Sequence, residues 1–187
     1  MPETTLNKAA LRRALLADRQ AIAPEVRRQW DAAITARLVA WWEVHRVQTL
    51  GIYWPIRGEP DLHGAYGALA ARGVRLALPV VAEKDAPLGF IEWKPGDAIT
   101  KDACGVSIPA NGAWVRPAAL LVPCVGYNDR HFRLGYGGGF YDRTLALSPR
   151  PRTVGIAYTR GFAAFEADAH DVALDTIITE TSSIDFG

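Results

Sequence analysis

VQTLGIYWPIRGEPDLHGAYGALAARGVRLALPV, residues 47–80, is the stretch whose reading decides the fold. From Val47 to Trp54 it is a run rich in β-branched and aromatic residues that stops at Pro55, the pattern of a buried strand. Residues 61–72 then have the composition of a helix, stopped by Gly73. VRLALPV, at 74–80, is a second apolar strand. Strands that are apolar without alternation, separated by a helix, belong in a mainly parallel sheet covered on both faces.

The same order extends outward. Upstream, Ala, Leu and Arg dominate the first forty-odd residues, and Pro24 stands where a second helix can begin in its first turn. Val26, Trp30, Ile34, Leu38 and Trp41 recur at spacings of four, four, four and three, one face of an amphipathic helix. Downstream, LGFIEW, ALLVPCVGY, TVGIAYT and DTIITE read as strands, with a Gly-rich turn and short helix from Gly137 to about Leu147 before the third of them. Residues 94–117 mix turn residues and yield no assignment. The expected fold is α/β: an N-terminal helical segment, then an open, mainly parallel sheet with helices on both faces. No repeat or Gly/Ser/Pro-rich linker divides the 187 residues, so a single domain, 1–187, is expected.

Composition excludes several classes of function. With 49% hydrophobic and 22% charged residues, the chain can bury a core without disulfides or structural metal. The two cysteines, Cys104 and Cys124, lack CxxC spacing, which argues against a zinc ribbon, and both are expected as buried reduced thiols. Lys and Arg number 21 against 20 Asp and Glu, a net +1, so the bulk field of a nucleic-acid or anionic-membrane binder is absent. Any anionic ligand must be held by local chemistry. The charge is sorted, however: residues 161–187 carry six acidic side chains and no Lys or Arg. MPETTLNKAALRRALL lacks the apolar region of a secretory signal, and uncharged stretches such as residues 117–128 fall short of the roughly 17–25 residues of a membrane helix. A soluble cytoplasmic protein is expected.

Four segments can carry chemistry. In RLGYGGGFYDR, from Arg133 to Arg143, glycine fills Gly135, Gly137, Gly138 and Gly139, between an expected strand and an expected helix. Removing Cβ lets backbone N–H groups approach a ligand, most naturally a phosphate. The pattern is neither a P-loop nor GxGxxG, and a tight turn without ligand is the plain alternative. The flanking arginines, Tyr136, Tyr141 and Asp142 favour phosphate, with Asp142 a hard oxygen ligand for Mg2+. Lys8 and Arg12, four apart, share a helix face suited to a polyphosphate, or to solvent. In YWPIRGEPD, Glu59 follows Tyr53 and Trp54 at the carboxyl end of a strand, where open α/β sheets bind ligands. A carboxylate beside aromatic rings suits a heterocycle with N–H donors. Trp93 and Trp114 could stack on such a ring, though core packing is the expectation for each. In HDVALDTIITE, Asp171 and Asp175 precede a strand and could complete a magnesium site or simply cap it. His131 and His170 stand isolated, with no second ring at ligand spacing.

In this order and spacing these segments resemble the 5-formyltetrahydrofolate cyclo-ligase (methenyltetrahydrofolate synthetase) family over nearly the whole chain. The parts that match are Lys8, Leu11 and Arg12, Tyr53-Trp54-Pro55 with Glu59, LVPCVGYNDRHFRLGYGGGFYDR, VGIAY and HDVALDTIITE. The resemblance implies a three-layer α/β fold related to ribose-phosphate isomerases and CoA-transferases. It also implies ATP- and Mg2+-dependent cyclisation of 5-formyltetrahydrofolate to 5,10-methenyltetrahydrofolate, with release of ADP and phosphate. Lys8, Arg12, Gly135, Tyr136, Gly137, Gly138, Gly139, Phe140 and Tyr141 would then bind ATP. Trp54, Glu59 and the loop from Gly138 to Tyr141 would bind the folate, Asp142 and Asp175 would hold Mg2+, and Arg12, Arg133 and Tyr141 would act in catalysis. The partners would be small molecules only, with no nucleic acid or membrane, and the working state a monomer. Ile108, Asn128 and His131 depart from the family pattern, which keeps open a non-catalytic nucleotide- or folate-binding module of the same fold. A sugar-phosphate or CoA-handling enzyme is a weaker third reading.

Overall fold

The computed structural model of the chain describes residues 7–185. The start of the N-terminal stretch read above for the absence of a leader, residues 1–6, lies outside them. Two helices come first, α1 (Lys8–Gln20) and α2 (Pro24–His45). Asn7 caps α1 by accepting from the Ala9 N–H, Pro24 occupies the opening turn of α2, and Arg46 ends α2 in the left-handed region. The apolar face of α2 is deeply buried at Ile34, Leu38 and Trp41, whereas Val26 at its start is exposed.

The decisive stretch forms β1 (Thr49–Gly51), α3 (His63–Ala71) and β2 (Arg75–Val80), with β1 and β2 parallel in register Leu50 to Leu76. Then come β3 (Gly89–Trp93), a small hairpin of β4 (Ile99–Lys101) and β5 (Ser107–Pro109), and β6 (Ala119–Pro123). A second hairpin, β7 (Gly126–Tyr127) and β8 (Arg133–Leu134), leads into α4 (Phe140–Leu145). The chain closes with β9 (Arg152–Ile156), a 3-10 turn (Thr159–Gly161), β10 (Thr176–Ile178) and β11 (Ser183–Asp185). The main sheet runs β11-β10-β9-β6-β1-β2-β3. Its five central strands are parallel and each edge strand is antiparallel.

Alternation along the strands divides the core. Leu76, Leu78, Leu121 and Ile178 pack with α2 and α3 on one face. Ala77, Leu120, Val122 and Ile177 pack with Leu145 of α4 and Leu174 on the other. The result is the expected three-layer α/β arrangement, with one outer layer built largely of a short helix and irregular chain.

Two readings need revision. ALLVPCVGY is two strands, because after Pro123 the Val125 N–H leaves the sheet and donates to the Leu134 carbonyl (2.8 Å), starting the β7–β8 hairpin. Cys124 is buried as expected, but Cys104 is exposed, since it sits in the turn between β4 and β5 where the Asp102 carboxylate accepts its N–H (2.9 Å).

Candidate active site

The β7–β8 hairpin aims the glycine segment across the carboxyl ends of the parallel strands. There a cavity of about 920 Å³ opens, with Tyr53 and Trp54 after β1, Val81 after β2 and Pro123 at the end of β6 in its walls. It is where a doubly covered parallel sheet is expected to bind ligand. Lys8 and Arg12 of α1, Glu59, Cys104 and its neighbours in the β4–β5 hairpin, the whole run from Arg133 to Arg143 and residues 168–172 also line it.

The glycines do specific work. Gly137 and Gly139 have φ of +97° and +68°, conformations that other residues adopt only under strain. A Cβ on Gly135 would collide with the Arg133 guanidinium, and one on Gly139 with that of Arg143. Both arginines therefore pack closely against the loop. Arg143 braces it by donating from Nη2 to the Gly138 carbonyl (2.8 Å), and Arg12 does the same from Nε to the Gly135 carbonyl (2.8 Å).

Arg133 is the cation set deepest among these. Its side chain is 8% exposed, with the guanidinium 4.9 Å from the Tyr141 ring centroid and 3.9 Å from Asp142 Oδ2. Its Nε has no partner, so a buried donor there awaits an acceptor. Burial pushes the Tyr141 phenol well up, with Arg133 opposing, so it remains a neutral O–H donor. Lys8 donates to Asp168 Oδ2 (2.7 Å) and Asp171 Oδ2 (2.9 Å). Burial disfavours its ammonium, but those two hydrogen bonds prevail and raise its pKa, while the Lys8 bond holds the Asp168 carboxyl down.

Glu59 forms the other pole. It is 4% exposed; Oε2 accepts the Ile56 N–H (2.9 Å) and Oε1 the Tyr136 hydroxyl (2.8 Å). Burial raises its pKa, against the opposing pull of those two donors, Arg19 and Arg57. Trp54 stands nearby, edge-on to Trp93 and His63.

The structure thus gathers Lys8, Arg12, Trp54, Glu59, Arg133 to Tyr141 and Asp142 around one cavity. It does not gather Asp175. That carboxylate accepts from the Thr153 N–H (2.8 Å) and Thr153 hydroxyl (3.0 Å) and from Arg150 (3.2 Å), at the amino-terminal end of β9. It is a strand-start cap outside the cavity lining and, contrary to expectation, does not join Asp142 there. Trp93 is buried as expected, but Trp114 is 61% exposed, laid over Gly89. Ile108, Asn128 and His131 do not line the cavity. Asn128 caps its own turn by accepting from the Arg130 and Phe132 N–H groups, and His131 Nδ1 lies 3.2 Å from the Leu174 carbonyl.

Sequence reading missed Arg19, which binds the Tyr136 hydroxyl from outside the cavity, and Asp168; it singled out Asp171 as a metal ligand or cap, whereas the structure pairs it with Lys8. Arg19 did leave a signal: Lys8, Arg12 and Arg19, at spacings of four and seven, lie on one helical face.

Similarity to known proteins points the same way. The model of the 5-formyltetrahydrofolate cyclo-ligase family matches residues 4–180. The 5-formyltetrahydrofolate cyclo-ligase of Mycoplasma pneumoniae is 30% identical over 94% of this chain and 99% of its own length. That of Mycolicibacterium smegmatis is 31% identical over 95% of this chain and 96% of its own. Among solved structures, the 5,10-methenyltetrahydrofolate synthetase of Mycoplasma pneumoniae superposes with a TM-score of 0.79 at 29% identity, covering 94% of this chain and 99% of that one. The synthetase of Aquifex aeolicus gives 0.82 at 28% identity, covering 95% and 92%. The chain belongs to the 5-formyltetrahydrofolate cyclo-ligase family.

Proposed function

We propose that this cavity closes 5-formyltetrahydrofolate to 5,10-methenyltetrahydrofolate at the expense of ATP, releasing ADP and phosphate. The observation that carries the reading is the meeting, around one cavity, of a cation-braced glycine loop and a buried carboxylate beside an indole. The loop and its cations suit a polyphosphate; the carboxylate and ring suit a pterin. The family relatives carry the same activity in their names.

A formamide oxygen is a poor leaving group, so it is first made into a phosphate ester. The formyl oxygen attacks the γ-phosphorus, ADP leaves, and an N5-iminium phosphate forms. N10 of the same folate then adds to the formyl carbon, and the C–O bond breaks to release phosphate, with loss of the N10 proton. No protein nucleophile is required. Cys124, the buried thiol nearest in chain to this region, is pushed up to about 11 by burial and is unsuited to the role. The chain's own task is alignment and charge neutralisation. Lys8 and Arg12 would grip the outer phosphates, with Lys8 exchanging Asp168 and Asp171 for phosphate oxygens. Loop N–H groups from Gly135 to Phe140 would wrap the chain of phosphates. Arg133, with its unpartnered Nε, and the Tyr141 hydroxyl would meet the phosphoryl group in flight.

Mg2+ fits the residues in one way. Among the described residues no group of three or more His, Cys, Asp and Glu could hold an ion by itself. Asp142, facing the cavity, suits an ion that arrives on the triphosphate, since Mg2+ takes one or two carboxylates together with phosphate oxygens. Bound there, it would neutralise charge on those oxygens.

The non-catalytic reading drew on Ile108, Asn128 and His131, and their placement outside the cavity removes that motive. We also carry forward a monomer in the cytoplasm as the setting of the reaction; no helix among the described residues is long and apolar enough to cross a membrane. In a steady-state assay of methenyl product, Arg12→Ala and Asp142→Ala should each lower kcat/KM on the order of 100-fold while still folding. Wild-type rates in either would remove that residue from the phosphate site.

A further inference from the structure

Arg19 lies in the last turn of α1, is 5% exposed and is not among the residues that line the cavity. Its guanidinium is held on three sides. Nε donates to the Arg57 carbonyl (3.2 Å), Nη1 to the Cys124 carbonyl (3.3 Å) and Nη2 to the Tyr136 hydroxyl oxygen (2.7 Å). That hydroxyl is in turn 2.8 Å from Glu59 Oε1.

An arginine has donors only and stays charged, so the Tyr136 oxygen must accept from Arg19. The single phenolic proton is then left for Glu59. Reversing the chain would set two donors against each other, so its direction is Arg19 to Tyr136 to Glu59. Ile56 supplies a second donor to the carboxylate from the backbone. An ionised carboxylate has about four acceptor positions, and these two contacts leave the rest for a ligand in the cavity.

We propose that Arg19 is a positioning residue: it fixes the direction of this hydrogen-bond chain so that Glu59 meets the substrate as an acceptor, selecting a heterocycle that turns N–H donors toward it. The inference rests on the folate reading above and adds to it the groups that favour the ionised form of this carboxylate against its burial. Glu59 interacts electrostatically with Arg19, Arg57, Tyr53, Tyr66, Tyr136, Tyr141 and Cys124, and Arg19 and Arg57 are the cations that favour its ionised form. The guanidinium of Arg57 lies 5.0 Å from the Tyr136 ring centroid and reaches Glu59 through charge alone.

The test is steady-state kinetics of the full chain with 5-formyltetrahydrofolate and Mg-ATP, followed as a function of pH. Arg19→Met and Tyr136→Phe should each raise the folate KM roughly tenfold, the scale of one charge-assisted hydrogen bond, and in Arg19→Met kcat and the ATP KM should change less than about threefold. In both, the acid limb of kcat/KM for folate should move to higher pH, because Glu59 has lost a donor or a cation that favours its ionised form. Arg19→Lys, which restores the charge, should recover part of that displacement. If Arg19→Met fails to fold, Tyr136→Phe decides, since the Tyr136 ring is partly exposed and the change interrupts the chain at its middle. An unmoved acid limb with an unchanged folate KM would overturn the inference, as would a loss in Arg19→Met that falls equally on ATP. A wild type that turns over 5-formyltetrahydrofolate while Tyr136→Phe behaves like it overturns the inference alone; a wild type that forms no methenyl product overturns both.

Discussion

Glu59 shows what a single residue costs the fold that houses it. Its carboxyl is raised in the folded state because burial penalises the charge more than Ile56, Tyr136 and the arginines favour it. The folded protein therefore binds a proton there more readily than the unfolded chain, and stability declines as pH rises from the unfolded value through the folded one. In thermal melts between about pH 4 and about pH 7, wild type should lose ground relative to Glu59→Gln as pH increases. A difference in Tm that stays constant across that range would mean Glu59 does not titrate as described. Glu59 itself was readable from its place after an apolar strand, and Lys8 and Arg12 from their spacing. Arg19 was not assigned, although it shares their helix face. Its meaning depends on acceptors 105 and 117 positions away, which only the fold brings to it.

The glycine segment works as an element because the β7–β8 hairpin fixes its entry and α4 its exit. A Cβ on Gly137 would meet only Arg12, at 3.8 Å, so the obstacle to substitution is the backbone angle of +97° and not space. Gly137→Ala should cost about 1–3 kcal/mol if the loop holds its shape, or release the loop if it does not. Either way kcat/KM should fall at least about tenfold. Gly67 in α3 makes the contrast: it has open space and helical backbone, so Gly67→Ala should raise Tm with unchanged kinetics. Equal kinetic losses in the two variants would argue against a specific loop geometry. Helices were legible at this scale because apolar residues recur at helical spacing from Val26 to Trp41 of α2. Strands of two or three residues, such as β7, β8 and β11, are too short for any period. The antiparallel edges were not legible either, since the residue pattern of a single strand does not say which way it runs against its neighbour.

Across the whole molecule, near-neutral charge conceals a division of labour. Lys8 and Arg12 of α1 and Arg133 and Arg143 of the glycine segment line one cavity, and two carboxylates from the acidic end, Asp168 and Asp171, hold Lys8 there. The parallel core explains the site's address, because five strands running one way present their carboxyl ends together. It also explains the error over Asp175, which lies beside the start of β9 where those strands begin. Spacing along the chain does not say which end of a sheet a residue reaches; strand direction does. The central claim is that the cavity transfers the γ-phosphoryl group of ATP to the formyl oxygen of the folate. It is tested most directly by supplying 5-formyltetrahydrofolate with an 18O-labelled formyl group and Mg-ATP, and measuring the phosphate by mass spectrometry. The account predicts that each phosphate released with a molecule of methenyl product carries one 18O atom. Methenyl product accompanied by unlabelled phosphate would contradict it.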